Sequence, residues 1–293
     1  MNRILLLGGT GILGSEVQKQ LQLMKIDYVA PKSSDLDVRD RDSFQSFASN
    51  FRPNWIINCT AWTNVDGAED SFQAALELNV VAVKNIAEVA KLLGSHVIHI
   101  STDYVFDGNS PKPYDENSQV GPINKYGESK LLGEKTLFEI LPTTAYVIRT
   151  SWLYGINGKN FVKTIAIKAL ERKETRVVND QIGSPTSAQD LAKGIYSIVV
   201  KVPEGGIYNF SNKGSCSWFE LARAIYKEVG ADPELVQAIS SSSLDLKARR
   251  PKYSLLSKAK WEGADLNEIP DWKASLKKIL PEIISNPNSK EKL

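Results

Sequence analysis

Tyr126-Gly127-Glu128-Ser129-Lys130 sets a phenol and an amine one helical turn apart, on a common face if the segment is helical. A phenol with its ordinary pKa near 10 exchanges protons poorly at neutral pH, and an ammonium beside it would stabilise the phenolate and lower that pKa. The spacing alone is common on solvated helix faces. Upstream, Ser101-Thr102-Asp103 follows the apolar run Val97-Ile98-His99-Ile100 and puts hydroxyls and a carboxylate where a buried strand ends. Thr102, Tyr126 and Lys130 together read as a hydroxyl, phenol and ammonium relay. That relay needs a redox partner.

Leu7-Gly8-Gly9-Thr10-Gly11-Ile12-Leu13-Gly14 offers the partner a seat, because it follows one apolar strand and opens a helix. Gly8 and Gly11 would let the backbone approach a pyrophosphate with no Cβ in the way. The helix amides and dipole favour its charge, and Gly14 would let helix and sheet pack closely. An acid after the second strand would hold ribose hydroxyls and favour NAD. The chain there reads Val29-Ala30-Pro31-Lys32-Ser33-Ser34, with Lys32 in place of an acid, which favours NADPH with NADH also accepted.

The elements that must position these groups follow from short apolar runs alternating with periodic segments. Strands are expected at Ile4–Leu7, Asp27–Ala30, Trp55–Ala61, Val97–Thr102 and Ala145–Thr150. Helices are expected at Ile12–Met24, Asp42–Phe51, Ser71–Leu93 and Tyr126–Leu141. Strands apolar throughout and separated by helices predict an α/β fold, a Rossmann-like doubly wound parallel sheet covered on both faces. After about Ser151 the rhythm breaks into isolated elements between Gly-, Pro- and Ser-rich stretches, which predicts a smaller C-terminal α/β substrate-binding lobe. The expected division is a dinucleotide-binding domain over 1–155, with 187–205 packing back on it. The lobe takes 156–186 and 206–285, and 286–293 forms a loose tail.

Bulk composition narrows the functions. Among 293 residues, 36 Lys+Arg against 34 Asp+Glu leave no basic field for nucleic acid. No apolar run reaches membrane-spanning length and the N-terminal one is too short for a signal peptide, so a cytoplasmic protein is expected. The two cysteines, Cys59 and Cys216, have no metal-ligand spacing, and Cys59 reads as a small core residue. With only two histidines a histidine metal site or a Ser-His-Asp triad lacks material, and His99 reads as a satisfied core residue.

Longer stretches carry a resemblance. Asn58-Cys59-Thr60-Ala61-Trp62-Thr63-Asn64-Val65-Asp66, Ser101 to Phe106, Arg149-Thr150-Ser151-Trp152-Leu153-Tyr154, Asn179 to Thr186 and Arg249-Arg250-Pro251 resemble, in order and spacing from end to end, the dTDP-4-dehydrorhamnose reductase family of extended short-chain dehydrogenase/reductases. The resemblance implies reduction of the 4-keto group of a dTDP-4-keto-6-deoxy sugar, with hydride from NAD(P)H and a proton from Tyr126. Thr102 would hydrogen-bond the same oxygen. It also implies that Gly11, Ile12, Leu13, Asp37, Val38, Ala61, Trp62 and Thr63 line the dinucleotide, beside Tyr126 and Lys130, and that Thr102, Asp103 and Trp152 touch the sugar nucleotide. Arg250 suits a diphosphate, with Asn160 and Gln181 as further substrate candidates.

Two departures bear on mechanism. Some relatives form dimers around a magnesium ion held by glutamates, one following a Pro-Thr-x-Ala segment. Here Pro185-Thr186-Ser187-Ala188 is followed by Gln189, a neutral amide unsuited to a hard cation. Neither magnesium nor any other metal is expected, and a monomer or weak homodimer is. A 4,6-dehydratase would carry Thr-Asp-Glu at the strand end, where Tyr104 stands instead of Glu. An epimerase retaining NAD, and a noncatalytic regulatory subunit like the methionine adenosyltransferase beta subunit, are the remaining alternatives. The C4 configuration of the product and the nucleotide base are left open.

Overall fold

The computed structural model describes residues 2–285; the tail expected over 286–293 lies outside the described residues. The first half alternates as expected: β1 (Arg3–Leu7), α1 (Ile12–Leu23), β2 (Asp27–Val29), α2 (Arg41–Phe51) and β3 (Trp55–Asn58). There follow α3 (Val65–Asp70), α4 (Phe72–Leu76), a π-helical turn (Glu77–Val81), α5 (Ala82–Leu93), β4 (His96–Thr102), α6 (Lys125–Ile140) and β5 (Ala145–Thr150). The second half adds β6 (Leu153–Tyr154), α7 (Phe161–Leu170), β7 (Thr175–Val178), β8 (Ile182–Gly183), β9 (Thr186–Ser187), α8 (Ala188–Lys201) and β10 (Gly206–Asn209). It closes with β11 (Cys216–Ser217), α9 (Trp218–Glu228), β12 (Val236–Ile239), α10 (Ala259–Gly263) and α11 (Trp272–Ser285).

Six parallel strands form the central sheet in the order β2-β1-β3-β4-β5-β10. Strands apolar on both faces need cover on both. Leu6, Ile57 and Ile148 pack with Val17 and Leu21 of α1 and Leu191 and Ile195 of α8. Leu5, Ile56 and Val147 pack with Phe44 of α2, Ile86 of α5 and Leu137 of α6 on the opposite face. The chain leaves β1 to one side for β2 and returns to the other side for β3. The crevice at the carboxyl ends of β1 and β3 is therefore the switch point where such sheets bind ligands.

Three sequence expectations change. The third strand stops at Asn58, not Ala61, because the Asn58 side chain accepts from the Thr60 N–H at 3.0 Å and turns the chain. The helix expected over Ser71–Leu93 is broken by the π turn, whose Asn79 accepts from the Trp62 N–H and donates to the Ser129 hydroxyl, both at 2.9 Å. Finally, Gly206–Asn209, placed in the lobe on sequence, pairs with β5 and belongs to the central sheet. Its alternation of Ile207 and Tyr208 serves both apolar layers.

The remaining elements have a core of their own. Ile165 and Ala169 of α7, Ile225 of α9 and Leu276 and Ile279 of α11 enclose Val177 and Val236 on the parallel pair β7–β12. A capping box, Ser217 with Glu220, starts α9.

Candidate active site

The glycine turn is shaped by contacts that exclude side chains. Gly8 has φ 76°, and a Cβ there would lie 2.9 Å from the Cys59 carbonyl carbon, so the turns after β1 and β3 touch. A Cβ on Gly14 would lie 2.1 Å from Gly8 O, which locks the first turn of α1 under the loop. Gly11 is the N-cap of α1 and supplies no side-chain cap, so the first-turn amides are left to an anion or to solvent. These features fit a dinucleotide pyrophosphate.

A cavity of about 590 Å³ opens from this turn, within the roughly 300–1,000 Å³ usual for cofactor pockets. Of the residues expected on sequence, Gly8, Gly11, Asp37, Val38, Ala61 and Trp62 line it. Leu13 and Gly14 are buried beneath it, while Ile12, Thr63, Tyr126 and Lys130 are not among its walls. Lys32 is exposed and does not line it either. The reason is local: the Lys32 carbonyl accepts from the N–H groups of Asp35 and Leu36, and this turn sinks Leu36 and Val38 into the core. The intervening Asp37 and the following Arg39 then line the cavity. Arg39 donates to both Asp37 oxygens, at 2.7 Å for the Nη2–Oδ2 bond, and holds that carboxyl below its usual range. The basic group that lines the cavity near β2 is thus Arg39, further along the chain than the Lys32 that the sequence suggested would serve.

Beyond the cavity, Asn124 caps α6 by accepting from the Gly127 N–H at 2.8 Å, and this fixes Tyr126 in the first turn. A Cβ on Gly127 would meet Tyr104 O at 2.1 Å, so the glycine brings the phenol against the segment after β4. Burial, with the Asp103 carboxyl nearby, pushes the Tyr126 phenol up to about 12, although the neighbouring Thr102 hydroxyl favours its ionised form. The lowering expected from Lys130 is absent in this arrangement. Lys130 is buried and donates to Ile100 O at 2.7 Å, with its Nζ 3.3 Å from His99 Nε2. Loss of solvent brings its ammonium down to about 8.

Asp103 follows Thr102 into the interior. Thr102 Oγ1 donates to its Oδ1 at 3.1 Å, whereas Oδ2 is buried without a hydrogen-bond partner. Burial lifts this carboxyl to about 7, with the Ser254 and Thr102 hydroxyls offsetting part of the rise. Below β4, Ser101 donates to Glu134, and Arg149 grips the same carboxylate at 3.0 and 2.7 Å. This buried pair ties the ends of β4 and β5 to α6.

The other substrate candidates separate by surroundings. Trp152 has φ 48°, a backbone region costly for a bulky residue, and its ring stacks 3.7 Å from that of Trp218. Asn160 caps α7 by accepting from Lys163 N and donates to Gly155 O, so its side chain already holds the backbone. Gln181 is buried at the start of the β8 segment. Arg250 is gripped bidentately by Asp66, at 2.7 and 2.6 Å, and lies within electrostatic range of Tyr104. Tyr104 packs edge-on to Tyr126, their centroids 5.7 Å apart. Arg250 therefore reaches the phenol's surroundings with its charge already answered. Gln189 lies 3.5 Å from Glu282, and Asp190 accepts from Asn212 and Ser275 in a buried network.

The family model described as the RmlD substrate binding domain matches residues 1–284. The chain belongs to the dTDP-4-dehydrorhamnose reductase family. A dTDP-4-dehydrorhamnose reductase of Mycolicibacterium smegmatis is 37% identical, over 96% of this chain and 86% of that one. A dTDP-4-keto-6-deoxy-D-glucose reductase of Streptomyces niveus is 35% identical, over 96% and 97%. Among solved structures, the dTDP-4-dehydrorhamnose reductase of Bacillus anthracis in complex with NADP superposes with a TM-score of 0.92. It is 37% identical and covers 96% of this chain and 99% of that one. UDP-glucose 4-epimerase of Thermus thermophilus, 19% identical with a TM-score of 0.83 over 97% and 99%, shares the fold.

Within the dTDP-4-dehydrorhamnose reductase family framework, four residues shape this site without having been expected from sequence. Arg39 and Asn79 carried no local signal, since an arginine before a helix and an asparagine within one are ordinary. Glu134 and Arg149 were findable in principle, as charged residues inside apolar helix and strand patterns demand partners. No group of three or more potential metal ligands occurs among the described residues.

Proposed function

We propose that the protein reduces the 4-keto group of a dTDP-4-keto-6-deoxy sugar, dTDP-4-dehydro-L-rhamnose, using NADPH. The observation that carries this reading is the half-buried Tyr126 phenol in the first turn of α6, which the Asn124 cap and Gly127 hold against the segment that follows Thr102 at the carboxyl end of β4. NADPH, when bound, supplies hydride to C4. Tyr126 gives its proton to the oxygen that gains charge, and its high pKa keeps the phenol protonated at neutral pH until that charge develops. Thr102 would donate to the same oxygen once its single hydroxyl proton turns away from Asp103, and so would stabilise it where charge appears. The cradle of Gly8 and Gly11 would hold the pyrophosphate and Lys130 the nicotinamide ribose. Arg39 would pair with the 2′-phosphate that distinguishes NADPH from NADH.

For the sugar nucleotide, Asp103 and Trp152 are proposed contacts, with Trp152 offering a flat apolar face held by Trp218. Arg250 would serve the diphosphate only by sharing its guanidinium with Asp66. The proposed domain division keeps the cofactor on the sheet and the sugar against the lobe formed by α7, α9 and α11. No described helix is long and apolar enough to cross a membrane, and a cytoplasmic monomer or weak homodimer is proposed.

The relative from Streptomyces niveus favours a second substrate, dTDP-4-keto-6-deoxy-D-glucose, at similar identity. NADPH oxidation measured with each sugar, comparing wild type with Tyr126→Phe, separates the two. Turnover of either that the substitution abolishes supports the reductase reading, and binding of NADPH without oxidation by both sugars refutes it.

A further inference from the structure

Asn58 and His99 face each other across the parallel pair β3–β4, both nearly without solvent exposure. Their hydrogen bonds admit little freedom. The Thr60 backbone N–H, which can only donate, lies 3.0 Å from Asn58 Oδ1, and the Thr60 hydroxyl donates to the same oxygen at 2.5 Å. That fixes the amide orientation and leaves its NH₂ facing His99 Nδ1 at 3.1 Å. An amide NH₂ has no lone pair to offer, so Nδ1 must accept and the ring proton sits on Nε2. His99 Nε2 faces Lys130 Nζ at 3.3 Å. An ammonium there would confront N–H with N–H. A neutral amine accepts from Nε2–H and still donates to Ile100 O at 2.7 Å.

We propose that His99 is a positioning residue which, through the Nε2–H tautomer imposed by Asn58, holds Lys130 as a neutral amine in the cofactor-free protein at mildly alkaline pH. Charging Lys130 then requires its Nζ to leave His99, so the lysine takes up a proton as it moves to a new partner.

The other groups around Lys130 agree with this arrangement. Cys59, on the turn after β3, has its thiol pushed up to about 12 by burial and is neutral. Glu134, one turn along α6, is committed to Arg149 of β5 and Ser101 of β4, and its remaining pull on Lys130 toward the ammonium is outweighed by burial. Tyr126, on the preceding turn, is a neutral phenol. His99 itself is held well below the usual histidine range, first of all by burial, so its ring is neutral. Loss of solvent lowers Lys130 to about 8, so the amine predominates only above that pH and the ammonium below it.

The inference rests on the reductase reading only for the task Lys130 performs. Its test therefore uses the cofactor-free protein and no turnover. Long-range proton–nitrogen spectra of the protein labelled at histidine and lysine, recorded from pH 6 to 10, report the His99 tautomer and the Lys130 midpoint. The expected result at pH 9 is a bare Nδ1 and a protonated Nε2, with both His99 nitrogens moving at the midpoint of Lys130 as pH falls. Asn58→Leu, which frees the ring to carry its proton on Nδ1, should raise that midpoint by a unit or more, a tenfold gain in proton affinity. A protonated Nδ1 in the wild-type protein at pH 9, or His99 signals indifferent to the lysine titration, would overturn the proposal. The wild-type tautomer decides the matter even if Asn58→Leu fails to fold.

Discussion

Asp103→Asn should remove a pH dependence of stability that the wild-type fold carries. Burial raises this carboxyl from 3.8 to about 7, so between those values the folded protein keeps a proton that the unfolded chain has released. The stabilisation is fully present below pH 3.8 and is lost as pH rises through about 7. A shift of about three units at about 1.4 kcal/mol each gives roughly 4 kcal/mol in full. At pH 5, where the unfolded carboxyl is already ionised, about 2–3 kcal/mol remains; at pH 8 almost none does. Asparagine keeps an oxygen to accept from Thr102 and places an amide where Oδ2 is now unpartnered. Urea unfolding of both proteins at pH 5, 6, 7 and 8 supplies the difference. His96 and His99, both lowered by burial, add stability as pH rises and so run the other way, but they are common to the two proteins and cancel on subtraction. The wild type should lose about 2–3 kcal/mol more than the variant between pH 5 and 8. Parallel pH profiles would refute the buried, protonated carboxyl.

Other perturbations test separate parts of the site. Gly14→Ala forces a Cβ to 2.1 Å from Gly8 O, and a fluorescence titration should show NADPH affinity down by about tenfold or more, with stability lowered by about 1–3 kcal/mol. Arg39→Ala removes the cation beside Asp37 and leaves the acid, so the NADPH-to-NADH ratio of kcat/KM should fall by about tenfold or more; an unchanged ratio would exclude Arg39 as the 2′-phosphate partner. Glu134→Gln should cost about 3–5 kcal/mol in urea unfolding by leaving Arg149 charged and buried, while the double variant Glu134→Leu, Arg149→Met should recover much of that loss.

The sheet was legible because its physics is local: five strands apolar on both faces, separated by amphipathic segments, leave few arrangements other than a covered parallel sheet. The glycine turn was legible because its glycines coincide with a strand end and a helix start. What escaped depends on contacts made across the fold. The π turn exists because Asn79 reaches Trp62 and Ser129, neither adjacent in sequence. β10 is a short run whose place beside β5 only the second half of the chain can determine. Lys32 and Arg39 are both bases near the second strand, and only the burial of Leu36 and Val38 decides which lines the cavity. Likewise, Tyr126 and Lys130 share a helix face, yet whether the lysine nitrogen meets the phenol or His99 depends on β4.

The central claim is most directly tested by following NADPH absorbance with enzymatically prepared dTDP-4-dehydro-L-rhamnose and determining the product's C4 configuration by NMR. Rapid oxidation yielding the rhamnose configuration, abolished by Tyr126→Phe in a protein that still binds NADPH, is the expected result. A Tyr126→Phe variant that turns over as fast as the wild type, or a folded wild type that binds NADPH and leaves it unoxidised, would contradict it.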